Sequence, residues 1–212
     1  LISLIGGRII PSFTRNWLKL RDATRLPAEH SVLDSASIVV LIAALVAWVA
    51  APQNPASGIG LIIAAALALI RLARWQGHQT LTEPLLWSLH LGYAWVPAGL
   101  FLLGVSHFMP NLPATAGVHA LTVGAIGSMT LAVMTRATLG HSGRALTADR
   151  WTVSIYILVA VAAVLRVAAP ILGEAYLPLL WASAAAWIAA FGVFTIRFGR
   201  LALASDVRVA GN

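Results

Sequence analysis

The chain has 212 residues, 59% of them hydrophobic and only 10% charged, with a net charge of +7 and no cysteine. Soluble domains carry about 25% charged residues, so this composition excludes a soluble globular protein, and with it the nucleic-acid binder that a pI near 11.3 would otherwise suggest. Without cysteine there are no disulfides, thiolate ligands or thiol nucleophiles, and any metal must be held by His, Met, carboxylate or a ligand from outside the chain.

The opening LISLIGG reads as the last turns of a helix that starts earlier, with neither an initiator Met nor the basic region of a signal peptide. The chain is therefore expected to be the C-terminal piece of a longer protein. Residues 1–32 are assigned to that helix end and a basic segment. Six apolar spans follow, at Leu33–Ala51, Gly58–Ala73, Thr82–Met109, Ala114–Met134, Trp151–Leu172 and Tyr176–Ile196. Each is long enough to cross a hydrocarbon core about 30 Å thick. The expected fold is all-α: a polytopic transmembrane helical bundle over residues 33–198, preceded by the helix end and followed by a tail at 199–212. Proline punctuates the connections, at Pro52 and Pro55 and again at Pro110 and Pro113.

Lys and Arg alternate between the connections. Arg8, Arg15, Lys19, Arg21 and Arg25 precede the first span, Arg71 and Arg74 follow the second, and Arg136, Arg144 and Arg150 follow the fourth. Arg197, Arg200 and Arg208 follow the sixth, so thirteen of the fourteen basic residues fall on one side. The positive-inside rule then puts both ends of the chain in the cytoplasm. Trp48, Trp75, Trp87, Trp151 and Trp181 fall near span ends, as interfacial anchors do. Trp95 and Trp187 lie deeper and are expected to pack.

In the fourth span Ala116, Ala120, Gly124, Ser128 and Ala132 recur every fourth residue, a ridge of small side chains that lets another helix approach closely. His119 flanks this ridge and is expected to face protein. An imidazole in hydrocarbon costs free energy unless its nitrogens are bonded, so it is either a functional residue or a histidine bonded to a neighbouring backbone. His90 and His107 lie 17 residues apart on the third span, about 25 Å along the axis, and cannot share one metal ion. His107 and His119 flank the outer turn, whereas His90 and His141 lie toward the basic side. His30 and His78 are expected to be solvated. Met109 is a soft donor beside His107, though a packing role explains it as well.

With Arg71 counted in its connection, Arg166 in AAVLRVAAP is the one basic residue inside a span, and no acidic residue is expected inside any span to neutralise it. It either snorkels outward or holds an anionic group supplied by a ligand. In MTRATLGHSGRAL, Arg136, His141 and Arg144 either converge on an anion or form an ordinary basic loop.

HALTVGAIGSMTLAVMTRATLGHSGR, GGRIIPSFTRN at residues 6–16 and LHLGYAWVPAGL at 89–100 together resemble three sequence blocks of the NnrS family, in the family's order. The resemblance implies a bacterial inner-membrane protein with roughly twice this number of spans, of which this chain is the C-terminal half. It implies haem b and, less directly, copper as cofactors, and a role linked to nitric oxide and nitrosative stress. Carried over by position, His90, His119, Arg136, Gly140, His141, Gly143 and Arg144 match the shared blocks, as do Arg8 and Pro11. His107 lies outside them, and His30 and His78 match nothing. The family's histidine-rich N-terminal block has no counterpart here. The expected metal ligands are His90, His119 and His107, and the expected cofactor contacts add Arg136, His141, Arg144 and Arg166. The expected partners are the N-terminal half, the lipid bilayer and nitric oxide, with no nucleic acid. The alternatives are a transporter of a small solute without haem and an assembly subunit with no site of its own.

Overall fold

Each span is started by a short polar side chain or by proline. In the computed structural model, which describes residues 1–209 without the side chains of Arg200 and residues 202–209, α2 (Val32–Ala50) begins after Ser31. The Asp34 carboxylate reaches back to accept the Ser31 backbone N–H at 3.0 Å, which is half of a capping box. Asn54 caps α3 (Pro55–Ala73), and Glu83 caps α4 (Pro84–Val105), each with proline at the first helical position. Asp149 accepts the Thr152 N–H at 2.9 Å to start α7 (Arg150–Ala168).

Among the described residues six helices are long and apolar enough to cross a membrane, and there is no strand. The chain is a membrane protein with the all-α bundle expected. α4 is the most enclosed of the six helices; α2 and α8 (Tyr176–Val209) are the least. α2 turns Val39, Ile42, Val46 and Val49 outward, and α8 turns Leu177, Trp181 and Ile188 outward. In a bundle surrounded by lipid, such faces need no further cover. The tail cations Arg200 and Arg208 and residues 210–212 lie outside the described side chains.

Several boundaries differ from those read in the sequence. The helix at the N-terminus does not end near residue 7. A π-helical turn, Ile2–Gly6, runs into α1 (Gly7–Lys19), whose Ile10, Thr14 and Leu18 are buried at helical spacing. The arginines of this segment obscured an amphipathic helix that docks on the bundle. The fourth span is also longer than expected, continuing from α5 (Ala114–His119) through a π-helical run, Ala120–Gly127, into α6 (Ser128–His141). Its polar last turns carry Arg136 and His141 on a helix rather than in a loop. Helix stops at Ser142, and Gly143 then takes φ +67, the left-handed value that glycine accepts freely.

The ridge of small residues packs as expected: Ala116, Ala120 and Ala132 are fully buried. Gly117 lies so close to α4 that a methyl there would come within 2.6 Å of the Leu103 backbone nitrogen. The π-helical run then presents Gly124 to Trp95 of α4 and Gly127 to Trp187 of α8, so both tryptophans are packing residues. Trp75 is not an interfacial anchor. It is 2% exposed and packs edge-on against Tyr93 with ring centroids 4.6 Å apart. Its position after the second span suggests an anchor, but the chain turns inward there and buries the indole under α1 and α4.

Candidate functional site

Four helices converge on one polar layer at the end of the bundle where α2 starts and α3 stops. On α4, His90 and Tyr93 are three residues apart and share a face. α1 and the π-helical turn before it supply a partner to each: Thr14 Oγ1 of α1 lies 2.9 Å from His90 Nε2, and Ser3 Oγ of the π-helical turn lies 3.1 Å from the Tyr93 hydroxyl. Arg71, in the last turn of α3, donates to the Ser3 carbonyl at 2.8 Å and to Asp34 Oδ1 at 2.9 Å. Arg74 donates to the other oxygen of Asp34 at 3.3 Å. Trp75 closes the layer, 5.4 Å beneath the Arg71 guanidinium and tilted toward His90.

This layer corrects the charge count made from the sequence. Arg166 is not the one basic residue inside a span, and acid is not missing from the spans. Arg71 is 3% exposed within α3, and Asp34 is 5% exposed in the first turn of α2. Charges at the ends of apolar runs read as loop residues; here the two ends face each other, so the charges are buried as a pair. The capping-box spacing of Ser31 and Asp34 was the available signal for Asp34. Nothing in the sequence signals that Thr14 would meet His90, 76 residues away.

His90 is 8% exposed, and its second ring nitrogen, Nδ1, is buried without a partner among the described residues. Nδ1 lies against Gly77, where a methyl would approach to 2.6 Å. The imidazole borders a cavity of about 650 Å³ whose walls include Leu72, Trp87, Leu91 and the exposed His78. His107 shows the same pattern with its nitrogens exchanged. Its Nδ1–H donates to the Leu103 carbonyl at 3.0 Å, which leaves Nε2 unprotonated in the neutral ring, buried and without a partner. A histidine whose Nδ1–H is held by a carbonyl is oriented to offer Nε2 to a metal.

The remaining expected residues fall into separate places. His119, half-buried, lies within electrostatic reach of Arg166 on α7, whose Nη1 is buried without a partner among the described residues. Arg136 stacks over Phe13 of α1 at 4.2 Å. His141 is exposed. Arg144 borders a cavity of about 340 Å³ beside Asp149 and Arg197. Arg136, His141 and Arg144 therefore share no common partner. Burial alone would raise the Asp149 carboxyl, but hydrogen bonds from Thr152 and the nearby Arg197 outweigh it and hold the group below the usual carboxylate range. His30 bonds Ser35 at 3.1 Å on the surface.

Among the described residues no three His, Cys, Asp or Glu side chains gather around one point where they would hold a metal ion. The donors available are single imidazole nitrogens on separate walls. That set suits a group bringing its own ligands better than a bare ion needing several from the protein.

A family model described as NnrS protein matches residues 1–205 of the chain. Neither a curated protein nor a solved structure matches it.

Proposed function

This chain belongs to the NnrS family, and on that premise we propose that it is a haem-binding integral membrane protein acting in nitric oxide metabolism or in protection against nitrosative stress. The family links the chain to nitric oxide, and its apolar helices make it a membrane protein. The observation that carries the haem reading is His90: a buried imidazole with an unpartnered Nδ1 at the wall of an apolar cavity. A porphyrin supplies four of the iron's ligands, so one protein nitrogen is enough to anchor it. His90 is the first choice of ligand, held in orientation by Thr14. His107, with Nε2 free, and His119 are the candidates nearer the other end of the bundle. Arg166, half-buried near His119 with its Nη1 unpartnered among the described residues, would there hold a propionate. Copper would need donors beyond single imidazoles, and the N-terminal half of a longer protein would supply them.

Bound haem would supply a reduced iron that captures nitric oxide, a small neutral gas that partitions into the bilayer. The chain's own residues shield the site from water and hold the imidazole. The concentration of Arg and Lys at one end supports a bacterial inner-membrane location with the C-terminus in the cytoplasm.

The test is a reduced-minus-oxidised absorption spectrum of the purified full-length protein in detergent, repeated after adding nitric oxide. A Soret band that shifts with the gas is expected, with haem content reduced in His90→Ala and in His119→Ala. Full haem occupancy in both variants would remove their assigned roles. A colourless protein from haem-replete cells would overturn the reading in favour of solute transport.

A further inference from the structure

A second cavity, of about 800 Å³, opens between α1 and α2 against Arg71 and shares no lining residue with the cavity beside His90. Its inner wall is charged and only partly satisfied. Arg71 bonds Asp34 and the Ser3 carbonyl through Nε and Nη1, whereas Nη2 makes no hydrogen bond among the described residues. Nη2 lies directly against Gly7, where a methyl would come within 2.0 Å, so only glycine leaves room for the guanidinium. Arg15 is tied to Glu29 at 3.1 Å and to the Pro27 carbonyl at 2.6 Å. Arg8 makes no hydrogen bond or ion pair among the described residues. Three arginines thus face two carboxylates, Glu29 and Asp34, leaving the cavity one positive charge with Arg8 as its free cation.

The outer wall is apolar. Leu4, 59% exposed, and Val39, 66% exposed, line the cavity and continue into Ile5 and Ile42, which are also exposed. Depth matters as much as composition. Asp34 is in the first turn of α2 and Arg71 in the last turn of α3, which is the level at which hydrocarbon gives way to headgroups.

We propose that this cavity binds the phosphodiester headgroup of an anionic membrane phospholipid, with Arg8 and Arg71 Nη2 facing the phosphate and an acyl chain lying along Leu4, Ile5 and Val39. Basic pockets between transmembrane helices at this depth select acidic headgroups. A zwitterionic lipid would place a second cation against Arg8. Free phosphate would satisfy the arginines but leave the apolar wall uncovered.

The experiment is native mass spectrometry of the full-length protein in detergent, titrated in parallel with phosphatidylglycerol, phosphatidylcholine and inorganic phosphate. One phosphatidylglycerol per chain should be retained in preference to phosphatidylcholine, and excess inorganic phosphate should not displace it. Arg8→Gln should weaken phosphatidylglycerol about fivefold, the effect of one interfacial cation. Arg150→Gln, a surface cation outside the cavity, should leave binding unchanged and serves as the folded control. Equal retention of the two lipids, an Arg8→Gln variant that binds like the parent, or displacement by phosphate would each overturn the assignment. So would an Arg8→Gln variant that loses haem while keeping the lipid, because the cavity would then belong to a haem propionate.

Discussion

Replacing Asp34 with alanine tests the buried pair that organises the polar layer. The Asp34 and Arg71 side chains are 7% and 3% exposed and 2.9 Å apart, so neither charge is well hydrated. Removing the carboxylate leaves Arg71 only the Ser3 carbonyl and the distant Tyr93 hydroxyl, and takes from Arg74 and the Ser31 N–H an acceptor each. Breaking a buried pair by deleting one partner costs about 3–5 kcal/mol. Arg71 Nη2 borders a cavity, which softens the penalty toward the lower figure, about 3 kcal/mol. That corresponds to a fall of about 6–12 °C in thermal midpoint for a domain of this size. The assay is thermal unfolding in detergent followed by tryptophan fluorescence, for which Trp75 in the layer is an internal reporter. The double variant Asp34→Leu with Arg71→Met should recover most of the loss, because apolar residues of similar volume commonly replace a buried pair without cost. A single variant within about 0.5 kcal/mol of the parent, or a double variant as damaged as the two singles added together, would refute the argument.

Gly117→Ala should force α4 and α5 apart, because the contact is with backbone that cannot rotate away, and lower stability by about 1–3 kcal/mol in the same assay. An unchanged midpoint would mean the helices are not held so closely. Thr14→Val removes the hydroxyl bonded to His90 Nε2 and should cost about 1–3 kcal/mol by leaving a buried nitrogen unpaired; calorimetry showing no loss would remove α1 from the His90 site. Asp149→Asn keeps a capping side chain but loses the charge paired with Arg197, and should be less stable than the parent by up to about 1 kcal/mol at neutral pH. Because the folded carboxyl titrates below its unfolded value, the parent's advantage is complete above that value and fades as pH falls below about 4. A gap that widens on acidification would contradict the assigned direction.

The bundle was legible because a membrane span is a local property. Twenty apolar residues between prolines and arginines describe a helix whatever else surrounds it. The small-residue ridge of the fourth span was legible for the same reason, since its four-residue period records the face that must pack. His90 stood out as an imidazole in an apolar run. Its partner did not, because Thr14 lies in a segment whose arginines disguised an amphipathic helix. Arg71 counts with a basic connection, Asp34 does not stand out at all, and Trp75 reads as an anchor, because each sits at the end of a span where hydropathy alone cannot distinguish solvent from protein.

Composition and periodicity therefore determined the number of spans, the basic end and which residues are unusual for their depth. Only the packing decided that α1 turns inward, that charges at two helix ends cancel across a gap, and that one ring nitrogen of His90 is bonded while the other is free. Those outcomes depend on which helices are neighbours and how closely glycines such as Gly117 and Gly7 let them approach. Distance between faces is a property of the assembled bundle, and no stretch of chain carries it alone.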